Sequence, residues 1–213
     1  MNGDLKPRPS DVLIVVDMQY DFMPGGALAV AEGDAIVPLV NRLAAKFENV
    51  VLTQDWHPPG HASFASSHAG AKPFETTRLA YGEQVLWPDH CVQGSRGARL
   101  HENLAIDRAI LILRKGANRE VDSYSAFVEA DGESKTGLAG FLRERGIARA
   151  FLVGLATDYC VGFSALDARA AGFEAFVIED ACRGIDLAGS LGTAWAKMKA
   201  AGVEKIQASA FGD

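Results

Sequence analysis

Three side chains with reactive chemistry each come at the end of a short apolar run. Asp17 follows the first run, Lys115 follows a later one, and Cys160 follows the next. A thiol, a carboxylate and an amine can serve as the nucleophile, the proton carrier and the cation of a covalent hydrolase. Taken singly, an Asp after a strand is often a turn former, and a Lys is usually a solvated surface charge. Their coincidence at three such positions favours a catalytic role.

The segment around Cys160 predicts how this thiol could become reactive. Gly154–Asp158 have the composition of a tight turn, and a helix-like segment begins at Cys160. Backbone N–H groups and the dipole at a helix N-terminus favour the thiolate over the thiol. A free cysteine is otherwise a small buried apolar residue. The prediction of a reactive thiolate therefore depends on Asp17 and Lys115 lying nearby.

A second group of residues has the chemistry of a metal site. Asp55 and His57 are two residues apart, so their side chains point to the same side of an extended segment. With one more imidazole they make a carboxylate–His–His set, which suits a divalent transition metal with open positions. The spacing alone does not distinguish a metal ligand from an ordinary loop histidine. Candidates for the third ligand are His61, His68, His90 and His101.

Composition limits the class of protein. The chain has 213 residues, 48% of them hydrophobic and 23% charged, with a net charge of −6. We expect one domain over residues 1–213 with a sizeable core, no nucleic-acid partner and no membrane span. Residues 1–10 lack the apolar core of a signal peptide, so we expect a flexible N-terminal extension and a cytoplasmic protein. Three cysteines fit reduced thiols rather than a disulfide scaffold.

Strand-like and helix-like segments alternate along the chain, which predicts βαβ units. The fold class we predict is α/β, a doubly wound sandwich around a central, mainly parallel six-stranded sheet. The predicted strands are Val12–Val16, Val50–Thr53, Ala109–Leu113, Ala150–Leu155, Glu174–Ile178 and Val203–Ala208. The predicted helices are Asp34–Phe47, Thr136–Arg145, Cys160–Ala171 and Leu187–Ala201.

This fold would bring the three reactive residues together. Ligands of open α/β sheets bind beyond the carboxyl ends of the strands, where Asp17, Lys115 and Cys160 would all lie. The stretch Trp56–Asp107 interrupts the alternation and carries the chain's five histidines. Long irregular loops in compact domains are commonly functional. The chain has no G-x-G-x-x-G after its first strand, no P-loop motif and no G-x-S-x-G elbow, which argues against nucleotide binding and serine hydrolysis.

Four segments carry a family resemblance. Two of them are Val16-Asp-Met-Gln-Tyr-Asp-Phe22 and Gly154-Leu-Ala-Thr-Asp-Tyr-Cys-Val161. The other two are Asp55-Trp-His-Pro-Pro-Gly-His-Ala-Ser-Phe64 and Trp87-Pro-Asp-His-Cys91. The chain resembles the nicotinamidases, also called pyrazinamidases, of the isochorismatase-like cysteine hydrolase superfamily. The first pair of segments is typical of the superfamily, and the second pair is typical of its metal-binding nicotinamidase branch.

The resemblance implies a role for each matching residue. Cys160 would be the nucleophile, Asp17 the general base and acid, and Lys115 the cation of a triad. The backbone amides of Ala156 and Cys160 would form the oxyanion hole, beside a cis peptide bond between Leu155 and Ala156. The implied activity is hydrolysis of nicotinamide to nicotinate and ammonia, and of pyrazinamide to pyrazinoate, through a thioester.

A metal and a substrate pocket are implied as well. Asp55, His57 and His90 would ligate one divalent transition metal, and His61 matches a position that ligates in only some members. Zinc is the expected metal, while iron and manganese suit the same ligands. The implied partner is a small-molecule amide, and homo-oligomerisation stays open. The aromatic residues that would wall the substrate ring are Phe22, Trp87 and Tyr124.

Two other functions stay open at this point. A cysteine hydrolase of the same fold could act on an N-carbamoyl or ureido substrate, since such relatives share the Asp, Lys and Cys positions. Those relatives need not carry the Asp–His–His set, so metal content separates the two activities. A non-catalytic binding protein is the other alternative, although it would need neither a triad nor a metal cluster.

Overall fold

The computed structural model describes residues 5–212. Its strands are β1 (Asp11–Val16), β2 (Asn49–Asp55), β3 (Thr76–Leu79), β4 (Gly82–Val85), β5 (Leu111–Lys115), β6 (Arg149–Leu155), β7 (Glu174–Arg183) and β8 (Glu204–Ile206). Six of them form one sheet in the order β5-β2-β1-β6-β7-β8, in which every neighbouring pair is parallel. The predicted α/β fold with a six-stranded sheet is confirmed.

Helices cover both faces of this sheet. They are α1 (Val37–Ala44), α2 (Leu138–Glu144), α3 (Gly162–Ala170) and α4 (Ser190–Ala200). Helix α1 packs its apolar side on one face, and the other three helices pack on the opposite face. The central strand β1 supplies both cores, because Leu13 and Val15 face α1 whereas Val12, Ile14 and Val16 face the other layer. A strand buried on both faces explains the continuous apolar run in its sequence.

The carboxyl ends of the strands converge at the centre of the sheet. Strand β1 lies between β2 and β6, and Val16 is in register with Gly154. Gly154 has φ +110°, and a Cβ there would lie 2.2 Å from the Val16 carbonyl oxygen. Only glycine permits this close approach of the two strand ends. The segments that follow β1 and β6 therefore begin side by side at this edge of the sheet.

The predicted strands and helices differ from the structure mainly at their ends. Strand β5 starts at Leu111 and includes Lys115, so this residue ends the strand rather than following it. Strand β7 runs on to Arg183, and β8 is limited to Glu204–Ile206. All four helices are shorter than predicted, since their outermost residues form single turns rather than continuous helix.

The stretch predicted to be irregular contains an unpredicted hairpin besides two short helical turns. Strands β3 and β4 form a two-stranded antiparallel hairpin outside the main sheet. Its strands are only four residues long and contain no apolar run, so local pattern did not reveal them. The hairpin contributes a buried side chain, Gln84, to the surroundings of the functional site.

The N-terminal extension expected for residues 1–10 falls partly outside the described residues. Its described part, residues 5–10, contacts the body of the protein. The Leu5 amide donates a hydrogen bond to the Ala210 carbonyl, and the Leu5 side chain packs on the core. The Pro9 carbonyl accepts a hydrogen bond from Asn49. Over the described range, none of the helices combines the length and apolar character that a bilayer crossing requires.

Candidate active site

Asp17 occupies the first position after β1 and is fully buried. Its backbone has φ +47°, which turns the chain out of the sheet at this residue. Its Oδ1 accepts a hydrogen bond of 2.6 Å from the Thr53 hydroxyl, and the same hydroxyl accepts one of 3.1 Å from the Asp17 amide. Its Oδ2 lies 2.8 Å from Lys115 Nζ but receives no well-aligned hydrogen bond from the residues that the structure describes. Burial raises the pKa of Asp17, against the lowering effect of Lys115.

Lys115 is the centre of the site. Its Nζ lies 3.4 Å from Cys160 Sγ, donates a 2.8 Å hydrogen bond to the Ser123 carbonyl and forms ion pairs with Asp17 and Asp55. The side chain is 1% exposed. Burial alone would lower the pKa of this amine, but the two carboxylates raise it well above its usual value. Lys115 therefore carries its positive charge between two acids and the thiol.

Cys160 lies in a single π-type turn, Thr157–Val161, directly before α3. One oxygen from each of Asp17 and Asp55 lies with Cys160 Sγ in a group whose members are all within 4.8 Å of one another. Burial raises the pKa of the thiol well above its usual value, and the two carboxylates oppose the lowering effect of Lys115. The reactive thiolate predicted from the position of Cys160 before a helix stays a prediction. A carboxylate oxygen of Asp17 lies within 4.8 Å of the sulfur, where it could accept the thiol proton.

Of the two residues predicted to form the oxyanion hole, Ala156 directly precedes this turn and Cys160 lies within it. The peptide bond between Leu155 and Ala156 is cis, as the resemblance implies. The Ala156 carbonyl accepts hydrogen bonds from the amides of Tyr159 and Val161, both at 3.1 Å. These bonds point the carbonyl into the turn. Ala156 and Cys160 both line the same small cavity.

The residues predicted to ligate a metal lie close together, next to the triad. Single ligand atoms of Asp55, His57 and His90 all lie within 4.8 Å of one another, and all three residues are buried. Asp55 Oδ2 is 3.6 Å from His57 Nε2 and 3.8 Å from His90 Nε2. The other carboxylate oxygen contacts Lys115. Asp55 therefore connects the histidine pair to the triad.

Each histidine presents the nitrogen that a metal would need. His57 Nδ1 lies 3.0 Å from the Gly116 carbonyl, and His90 Nδ1 lies 2.8 Å from the Pro88 carbonyl. Because a carbonyl oxygen can only accept, Nδ1 carries the hydrogen in the neutral form of both rings, and Nε2 then keeps its lone pair. His57 Nε2 is buried without a hydrogen-bond partner among the described residues. The donor set and this unpartnered nitrogen fit a divalent transition metal.

The charges around these ligands also suit a cation. Burial alone would raise the pKa of Asp55, but Lys115 and His57 bring it below its usual value. Burial alone would lower the pKa of His57, but the negative charge of Asp55 raises it above its usual value. Burial and the neighbouring His57 lower the pKa of His90 to about 4. His90 is thus neutral, as a ligand must be, above that pH.

His61 lies next to this cluster, with its ring centroid 4.3 Å from that of His57. Its Nε2 donates to the Asn118 carbonyl at 2.9 Å, and its Nδ1 accepts a hydrogen bond of 3.2 Å from the Ser63 amide. Both ring nitrogens are therefore engaged by protein groups. In this arrangement His61 packs beside His57, and a metal would have to displace one of these hydrogen bonds to bind it.

Aromatic residues close the cavity around the thiol. Phe22, Trp87 and Tyr124 line it together with Cys160 and His90. Trp87 Nε1 donates a 3.0 Å hydrogen bond to the Tyr124 hydroxyl. The Phe22 ring meets the His90 ring edge-on, with centroids 5.6 Å apart. The three aromatic residues singled out in the sequence therefore line one cavity together with Cys160 and His90.

Sequence reasoning missed several polar residues that hold the site. Thr53 contacts Asp17, and Gln19 brackets the Asp55 backbone with bonds of 2.7 Å to its amide and 2.8 Å to its carbonyl. Asp122 lines the cavity and accepts a 2.7 Å hydrogen bond from Gln84 of the hairpin. A threonine within an apolar strand and a glutamine just after one are common, so neither residue type suggested a functional role. The one available signal was that Thr53 and Gln19 each lie two residues from a predicted site residue.

Comparison with known proteins places this geometry in a family. The model of the isochorismatase domain family matches residues 11–210. A nicotinamidase from Acinetobacter baylyi is 54% identical to this chain, over 95% of this chain and 94% of that protein. The solved structure of an Acinetobacter baumanii nicotinamidase and pyrazinamidase superposes with a TM-score of 0.94 at 56% identity, covering 95% of this chain and 98% of that one.

A more distant structure was solved with a metal. The pyrazinamidase of Pyrococcus horikoshii in complex with zinc superposes with a TM-score of 0.76 at 39% identity. The superposition covers 93% of this chain and 99% of that one. The likeness to these proteins extends over nearly the whole chain.

Proposed function

The chain belongs to the isochorismatase family, and from that premise we propose that it is a metal-containing cysteine amidase that hydrolyses nicotinamide to nicotinate and ammonia. The same chemistry extends to pyrazinamide. The observation that carries the proposal is the position of Lys115 Nζ, 2.8 Å from Asp17 Oδ2 and 3.4 Å from Cys160 Sγ. Cys160 lines a cavity walled by aromatic residues, which suits a flat heteroaromatic amide.

Asp17 begins the reaction as a general base. Its Oδ2 takes the proton of the Cys160 thiol while Lys115 stabilises the negative charges on both groups. The sulfur then bonds to the carboxamide carbon, and the carbonyl electron pair moves onto oxygen. The amides of Ala156 and Cys160 donate to this oxyanion, an interaction that strengthens as charge develops. Asp17 returns the proton to the nitrogen, the C–N bond breaks, and ammonia leaves.

A water molecule completes the cycle. Asp17 removes one of its protons as its oxygen attacks the thioester carbon. The C–S bond breaks, the acid is released, and the proton returns from Asp17 to the Cys160 sulfur. One residue therefore acts as base and acid in each half of the reaction, which matches a carboxyl whose pKa is raised by burial.

Asp55, His57 and His90 would hold the metal. When bound there, a divalent ion supplies a Lewis acid that holds the ring nitrogen of the substrate, directly or through water. The zinc in the Pyrococcus horikoshii pyrazinamidase supports zinc as the ion. The chain's own contribution is to turn both histidine Nε2 atoms inward and to place the amide over Cys160.

The test is ammonia release from nicotinamide by the zinc-loaded protein. We expect turnover by the wild type and only background release by Cys160→Ala. Cys182→Ala is the matched control, because Cys182 is a buried thiol of β7 outside the cavity, and it should keep wild-type turnover. No release by the metal-loaded wild type would overturn the nicotinamide assignment and direct attention to N-carbamoyl substrates.

A further inference from the structure

Thr53 is a fully buried residue of β2 that no part of the reaction described above uses. Its hydroxyl lies between the backbone and the side chain of Asp17. The Asp17 amide donates to Thr53 Oγ1 at 3.1 Å, and Thr53 Oγ1 donates to Asp17 Oδ1 at 2.6 Å. Both contacts link neighbouring strands, because Thr53 lies in β2 and Asp17 directly follows the adjacent parallel strand β1.

The direction of these bonds follows from counting hydrogens. A hydroxyl has one hydrogen and two lone pairs, whereas an amide N–H can only donate. The Asp17 amide therefore uses a lone pair of Thr53, and the single hydroxyl hydrogen is given to Oδ1. This leaves Oδ2 as the carboxylate oxygen without a well-aligned hydrogen bond, 2.8 Å from Lys115 Nζ.

We propose that Thr53 is a positioning residue for the general base, and that its hydroxyl determines which oxygen of Asp17 faces the Cys160 thiol. The inference rests on the proposed role of Asp17 in the reaction. Without the hydroxyl, the buried Oδ1 has no partner and the carboxylate is free to turn toward Lys115 with both oxygens. The thiol proton would then meet a misdirected acceptor.

The test uses the isosteric variant Thr53→Val in the metal-loaded enzyme. We expect kcat to fall about 10- to 100-fold with KM within about twofold of wild type, since misplacing a catalytic group by about 1 Å can cost that much. Thr53→Ser restores the hydroxyl and should restore most of kcat. Metal content and the circular dichroism spectrum should stay at wild-type values in both variants.

Thr136→Val is the matched control. The Thr136 hydroxyl has the same pattern, donating to the Ala126 carbonyl at 2.6 Å and accepting from the Leu138 amide at 3.2 Å, but it lies at the start of α2. Its loss should leave kcat unchanged. If Thr53→Val does not fold, Thr53→Ala replaces it, with the same expected loss of kcat.

A second measurement does not depend on the substrate. Iodoacetamide alkylation of Cys160, located by mass spectrometry, should be about tenfold slower in Thr53→Val than in wild type, because the same base must accept the thiol proton. Equal or faster alkylation in the valine variant would overturn the proposal. Failure of wild-type turnover on nicotinamide with slowed alkylation in the variant would instead reject only the assigned substrate.

Discussion

Lys115 connects the two chemical groups of the site at the scale of single residues. Its ammonium contacts Asp17 and Cys160 on one side and Asp55 on the other. Asp55, whose pKa is held below its usual value, lies beside His57 and His90. A buried negative charge is costly unless it is compensated, so the cluster is suited to hold a divalent cation. The triad and the metal ligands are therefore electrostatically dependent on each other.

The first residue-scale prediction concerns the metal ligands. His57→Ala removes the ring whose Nε2 has no partner, so we expect loss of bound zinc and a raised KM for nicotinamide. His61→Ala should retain more zinc than His57→Ala, because both nitrogens of His61 are already engaged. Zinc per protein chain, measured by elemental mass spectrometry after dialysis, checks both expectations.

His101→Ala is the control for these variants. His101 belongs to the same long stretch but lies outside the metal-like groups, with its Nδ1 accepting from the Asn103 amide at 3.2 Å. It should keep full zinc content. Full activity of His57→Ala after exhaustive chelation would show that the metal has no part in turnover.

At the scale of elements, the chain that leaves β5 aligns a metal ligand. Gly116 follows Lys115 with φ +68°, and its carbonyl bonds to His57 Nδ1. A Cβ at this position would lie 2.5 Å from His57 Cε1. Gly116, which follows the strand that carries Lys115, thus also fixes the orientation of His57, the proposed metal ligand that follows β2. The two strands are neighbours, with Asp55 and Lys115 in register.

Gly116→Ala tests this element. The added methyl must push the His57 ring aside, so we expect weaker zinc binding in addition to lower stability. Gly70→Ala is the matched control, since Gly70 has φ +77° but open space around its Cβ position. A left-handed alanine costs about 1–2 kcal/mol, so both variants should unfold more easily. Zinc titration should separate them, and equal zinc affinity would contradict the role given to Gly116.

At the scale of the whole molecule, a buried ion pair and the candidate active site lie at opposite ends of the central strands. Asp11 and Arg149 begin the paired strands β1 and β6 and form a buried ion pair with bonds of 2.7 and 2.6 Å. The Arg149 side chain is 8% exposed and that of Asp11 is fully buried. The site is built at the other end of these strands. A change at the amino ends should therefore alter unfolding without altering turnover.

Arg149→Met tests this separation. The variant keeps much of the side-chain length but leaves Asp11 as a buried, unpaired charge, which typically costs about 3–5 kcal/mol. Lys205→Met is the control, because the Lys205 and Glu179 side chains are 51% and 37% exposed, and exposed pairs contribute less than about 1 kcal/mol. Urea unfolding should separate the two variants, and both should keep wild-type kcat. A large fall in kcat for Arg149→Met at full folding would contradict the separation.

The sequence by itself determined the fold class and the main candidate residues. Strands buried on both faces appear as nearly unbroken apolar runs, so β1 and β6 were recognisable from local pattern. Chemically distinctive side chains at the ends of those runs indicated Asp17, Lys115 and Cys160. Where pattern was weak, as in the β3–β4 hairpin and at helix ends, the prediction missed or overextended the element.

Only the tertiary structure decided how those residues act on one another. The order of the strands brings Asp17, Lys115 and Cys160 together, and burial, opposed by Lys115, then raises the pKa of the Cys160 thiol. Thr53 became visible only through a hydrogen bond between residues 36 positions apart. Protonation and hydrogen-bond direction depend on desolvation and on non-local neighbours, and neither is encoded in spacing along the chain.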